Sequence, residues 1–78
     1  MGRDGRHRGT YVARITPRQM EVLRARFRLG SRKEAAAALG ISDMTARGHI
    51  SRLCERLGVS NAEQAAYRLW LRDLWGEG

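Results

Sequence analysis

Residues 41–58, ISDMTARGHISRLCERLG, decide the reading of this chain. At 100° per residue, Ala46, Ile50, Leu53 and Leu57 fall in one narrow stripe, with Cys54 at its edge. That spacing predicts a helix over 43–57, capped by Ser42 and stopped at Leu57-Gly58. Met44, Arg47, Gly48, Ser51, Arg52 and Glu55 lie on the opposite side, with Thr45 on its flank. Gly48 stands near the centre of that outer face, where glycine costs about 1 kcal/mol relative to alanine. A residue without a side chain is in place there if the helix backbone is pressed close against a partner. A helix laid in the DNA major groove meets base edges in this way. Arg47 suits the O6 and N7 of guanine, Ser51 can meet donor or acceptor edges, and Met44 can touch a thymine methyl. Gly48 would let the backbone approach without a clash.

Working outward, the segment before this helix carries a second one. Ser31 and Glu34 have the spacing of a capping box, RKEAAAAL follows, and Gly40 closes it. Its run of four alanines predicts a thin helix that packs closely against its neighbours. Further upstream, Thr16 is a natural N-cap, Pro17 fits the first helical position, and Gln19 completes a box with Thr16. Ile15 can staple onto the first turns, and Met20, Leu23 and Phe27 share a face. Gly30 suits a left-handed cap. Downstream, Ser60 or Asn61 caps a fourth helix, with Glu63 or Gln64 at the matching position, running through AEQAAYRLWLRDLW. The expected fold is all-α: four helices with a central helix-turn-helix over 31–58. No strand pattern and no internal repeat appears.

Charge is distributed unevenly. The formal net charge is +7 over 78 residues: +3 in residues 1–14, +5 in 15–58 and −1 in 59–78. A basic domain of this size fits an anionic partner, most often nucleic acid. Residues 1–14, rich in glycine and arginine, read as a disordered basic arm, leaving 15–78 as the domain. Its Arg3, Arg6, Arg8 and Arg14 could follow the DNA backbone, enter the minor groove, or simply keep the chain in solution. One cysteine, Cys54, excludes an internal disulfide and fits a reducing, intracellular setting. The alanine- and arginine-rich composition points to a GC-rich bacterium or its phage, so the expected location is the bacterial cytoplasm or a phage-infected cell. Cys54 reads as a small core residue. No metal site is expected, because His7, His49 and Cys54 lack ligand spacing. No cofactor, small-molecule ligand or membrane span is expected either. Paired carboxylates, an activated nucleophile and a phosphate loop are all missing from the pattern, so the chain is not read as an enzyme.

The fourth helix has two apolar faces. Ala62, Ala65, Ala66 and Leu69 suit packing on the domain; Tyr67, Trp70, Leu71 and Leu74 form a second face. Exposed large apolar patches tend to be interfaces. That second face is therefore expected to meet a partner. The rival is that Trp70 and Leu74 fold back over the first helix.

The stretches TPRQMEVLR, SRKEAAAALGIS and TARGHISRLCERLGVSNAEQAA together resemble the GerE-like DNA-binding domain of LuxR/FixJ/NarL-type transcription regulators, over residues 15–69. The resemblance implies a third helix in the major groove and a fourth that mediates dimerisation, giving a two-fold dimer through Tyr67, Trp70, Leu71 and Leu74. It implies base contacts from Arg47, Gly48 and Ser51, and phosphate contacts from Thr45 and from Ser31, Arg32 and Lys33. It sets His49 near the DNA backbone, and Arg52 is grouped with the phosphate contacts. The chain departs from the family pattern in places. Ala46 stands for a usual valine and Ala35 for a usual isoleucine, shrinking the core beneath the recognition helix. Gln19 stands where Glu is common. Gly48 replaces a larger residue and removes one potential base contact. RLGS reverses the usual order of glycine and apolar residue before the second helix. The resulting expectation is a stand-alone, sequence-specific regulator of transcription acting on double-stranded DNA. The alternative is a protein-interaction module that binds RNA polymerase, a sigma factor or another regulator through the Trp-rich end.

Overall fold

The computed structural model describes residues 15–72, 74 and 75. The arm expected over 1–14 lies outside the described residues. Four helices follow in order, and no strand occurs among the described residues: α1 (Pro17–Leu29), α2 (Arg32–Leu39), α3 (Asp43–Leu57) and α4 (Ala62–Leu71).

Each helix begins where a side chain can satisfy an orphan N–H. Thr16 and Gln19 make both halves of the capping box, Gln19 N–H to Thr16 Oγ1 at 3.0 Å and Thr16 N–H to Gln19 Oε1 at 3.1 Å. Ser31 accepts from the Glu34 N–H, Ser42 from Thr45, and Asn61 from Gln64. Asn61 is thus the cap of α4, while the Gln64 side chain accepts from the Ser60 N–H at 2.9 Å. Glycine ends the first three helices in the left-handed conformation, at Gly30, Gly40 and Gly58. At two of these ends the next residue closes a longer bond: Ile41 N–H to Ala36 O and Val59 N–H to Cys54 O, both 3.0 Å. Ile41 and Val59 then pack on the core, the hydrophobic contact that accompanies this motif.

Two apolar clusters hold the helices. Leu23, Leu53, Cys54, Leu57, Ala65 and Leu69 form one, with Ile15, Met20, Phe27 and Trp75 packed against it. Val22, Ala36 and Ala46 form the other, joined by Leu39 and Ile41. Ile50 of α3 touches both. Helix α1 therefore uses two faces, Leu23 toward α3 and α4 and Val22 toward the α2–α3 unit. Ala35, Ala36 and Ala46 are fully or almost fully buried. Their small side chains let α2 and α3 lie close together across α1.

The end of α4 differs from the sequence expectation. The helix stops at Leu71, not at Trp75; Arg72 is its C-cap, and Leu74 N–H donates back to Leu69 O at 2.8 Å. Leu74 therefore does not continue the helical face of Tyr67, Trp70 and Leu71. The cause lies beyond the local pattern. Trp75 turns back onto α1, its ring edge-on to Phe27 with centroids 5.9 Å apart, and its carbonyl accepts from Arg24 Nε at 2.7 Å. Of the C-terminal aromatics, Trp75 covers the first helix, and Trp70 stays outside, 65% exposed.

Candidate nucleic-acid interface

Helix α3 lies with Ala46, Leu53, Cys54 and Leu57 inward, which turns its polar face out. Met44, Thr45, Arg47, Ser51 and Arg52 are exposed; Gly48 and His49 are half-buried. A Cβ added at Gly48 would meet nothing within 4 Å. Packing does not require the glycine.

The sequence-predicted residues fall on the two sides of this ridge. An open cleft of about 640 Å³ on one side is bordered by Ser31, Arg32, Lys33, Arg47 and Ser51, with the α3–α4 turn opposite. A smaller hollow of about 300 Å³ on the other side is lined by Ser42, Met44, Thr45, Gly48, His49 and Arg52. All ten residues singled out for bases or phosphates border one hollow or the other. The polar outer face of α3 thus projects between two concavities.

The hydrogen bonding of this surface is partly fixed in advance. Ser42 Oγ accepts from the Thr45 N–H at 3.0 Å and donates to Thr45 Oγ1 at 2.9 Å. The Thr45 hydroxyl proton is then free to point outward to an acceptor. Ser31 Oγ, likewise an acceptor for the Glu34 N–H, keeps its own proton. Arg32 is engaged differently. Its Nε and second guanidinium nitrogen hold both carboxylate oxygens of Asp43 at 2.8 and 3.0 Å. This bond, first of all, pulls the Asp43 carboxyl below its ordinary range, with Arg47 and Lys33 adding to the effect. The same bond raises Arg32 above its ordinary value. No ion-pair partner lies within 4.0 Å of Lys33, Arg47 or Arg52 among the described residues.

Sequence reasoning missed three features of the site. Asp43 was not singled out, nor were the pairs Arg26–Glu63 at 3.0 Å and Arg68–Leu57 O at 3.1 Å. The last two tie α4 to α1 and to the end of α3. They join residues 37 and 11 positions apart, which no local pattern reveals. Asp43 had a signal, being an acid at the start of a helix among basic neighbours. Cys54 is buried, which raises its thiol pKa. No group of three or more His, Cys, Asp or Glu side chains converges on a metal-sized site among the described residues, and no helix there is long and apolar enough to cross a membrane.

On α4, Ala65 and Leu69 face the core, while Tyr67, Trp70, Leu71 and Leu74 are 62%, 65%, 57% and 42% exposed. Tyr67 and Trp70 border an apolar hollow with Phe27, Ala66 and Trp75. Leu74 lines a separate one with Ile15, Met20 and Leu69.

A short alanine-lined helix, a glycine turn and a longer helix with a polar outer face define a helix-turn-helix domain of the DNA-binding class. The chain belongs to the LuxR family of bacterial regulatory proteins, whose GerE model matches residues 13–69. It is also similar to the spore germination protein GerE of Bacillus subtilis (strain 168), at 38% identity over 55 residues, covering 70% of this chain and 74% of that one. No solved structure matches it significantly.

Proposed function

We propose that this chain is a sequence-specific DNA-binding regulator of transcription, with α3 inserted in the major groove. The observation that carries this reading is the outward face of α3, bordered on both sides by the hollows that collect all ten candidate residues. Arg47, Ser51, Met44 and Gly48 meet base edges. Thr45, His49 and Arg52 meet one phosphate strand, and Ser31, Arg32 and Lys33 the other. The outward Thr45 hydroxyl proton and the Lys33 ammonium, unpaired among the described residues, suit anionic oxygens. The chain works on double-stranded DNA in the bacterial cytoplasm, a setting that also fits its single free thiol.

The functional unit in this reading is a two-fold dimer joined through Tyr67, Trp70 and Leu71 of α4, with Leu74 beside them. The exposure of these four side chains supports it. Two recognition helices would then address half-sites roughly 34 Å apart. The same exposure also suits the alternative, in which this patch docks on RNA polymerase, a sigma factor or another regulator.

Selection of bound sequences from a random duplex pool tests the reading. The expected product is a two-fold-symmetric motif with half-sites about one helical turn apart. A pool that stays random after repeated rounds contradicts specific recognition and leaves the apolar patch as the surface to pursue.

A further inference from the structure

Asp43 is out of place on a surface built for phosphate. It is the first residue of α3, it is exposed, and it sits where Arg32, Lys33 and Arg47 all act on its charge. Its carboxylate grips Arg32 side-on with two hydrogen bonds, 2.8 and 3.0 Å, from the first residue of α2. Bidentate arginine–carboxylate pairing has defined geometry as well as charge. The guanidinium so held presents to the cleft an ion pair in place of a free cation.

We infer that Asp43 is an intramolecular stand-in for phosphate that restrains Arg32 and so holds down the sequence-independent part of DNA affinity. This rests on the DNA reading above. Contacts to phosphate carry no sequence information, and they supply essentially all of non-specific affinity. A carboxylate that occupies Arg32 and faces the same strand subtracts from that affinity on every sequence. The base contacts of Arg47 and Ser51 are spared, so affinity for every sequence is lowered by about the same factor and the ratio of specific to non-specific binding is kept. The pair also ties the first turn of α2 to that of α3. The first turn of α2 borders the larger cleft and that of α3 the smaller hollow, and the pair fixes their separation before DNA arrives.

The test is a double-mutant cycle, Asp43→Asn and Arg32→Gln singly and together, titrated against a random-sequence duplex and the selected duplex at several salt concentrations. Asp43→Asn is expected to bind the random duplex several-fold more tightly. Its salt slope should steepen by about 0.9, one added phosphate contact. On the selected duplex the gain should be about the same, so discrimination is kept. In the Arg32→Gln background, Asp43→Asn should lose that extra slope. Melting curves of all four proteins show whether the fold is kept. Unchanged affinity and salt slope in Asp43→Asn overturn the inference while the DNA reading stands. The same holds for a gain that persists in full without Arg32. A wild-type chain that binds no duplex overturns both.

Discussion

At the residue scale, Gly48 separates stability from function. Nothing surrounds the place where its Cβ would be. Gly48→Ala is therefore expected to stabilise the free domain by about 1 kcal/mol, measured by urea or thermal unfolding. If the groove floor presses on this backbone, the same change weakens binding to the selected duplex. A rise in stability with a loss of affinity marks a glycine kept for its partner; a rise in both removes that role. Asp43 gives a second prediction. Its folded-state pKa is lowered by the Arg32 bond, so its contribution to stability is present above the ordinary aspartate value near 3.9. It is lost as pH falls through the lowered value. Asp43→Asn should thus lower the melting temperature at neutral pH. The gap to wild type should close as the pH falls from neutral through the ordinary aspartate value and below it. A gap that stays constant across that range contradicts the assignment.

At the element scale, the local signals in the sequence were strong. Thr16, Ser31, Ser42 and Asn61 each start a helix, and Gly30, Gly40 and Gly58 each end one, because capping is decided within a few residues. The stripe of α3 was legible for the same reason. Illegible were features whose cause lies far along the chain. The end of α4 at Leu71 follows from Trp75 docking on Phe27 and Arg24, about fifty positions away. The Val22 face of α1 depends on α2 lying across it, and the Arg32–Asp43 clasp depends on two helix starts meeting. The outer face of α3 was readable as a surface; the carboxylate that tempers it was not. One prediction belongs here. Leu53 is fully buried at the centre of the larger cluster, where α3 meets α1 and α4. Leu53→Ala should cost about 2–5 kcal/mol in denaturant unfolding. A cost below about 1 kcal/mol would mean that α3 is not anchored by this stripe.

At the scale of the whole molecule, the two faces of the domain have different chemistry. Cationic side chains border the α3 ridge, while large apolar groups project from α4. In the proposed assembly one face meets DNA and the other a second copy. Trp70, with Tyr67 and Leu71, is the exposed centre of the apolar face, whereas Trp75 is part of the fold. Trp70→Glu should leave the melting temperature nearly unchanged. It should convert any dimer to monomer in sedimentation, and reduce binding to a duplex with two half-sites far more than to a single half-site. Equal losses on both duplexes would mean that α4 does not join two copies.

The most direct measurement compares wild type, Arg47→Ala and Lys33→Ala by anisotropy on the selected duplex and on a random one. If α3 reads bases, Arg47→Ala loses about 1–3 kcal/mol on the selected duplex and little on the random one. Lys33→Ala should weaken both about equally and make the salt slope shallower by about 1. Equal, small losses from Arg47→Ala on both duplexes would contradict the claim that this helix recognises sequence.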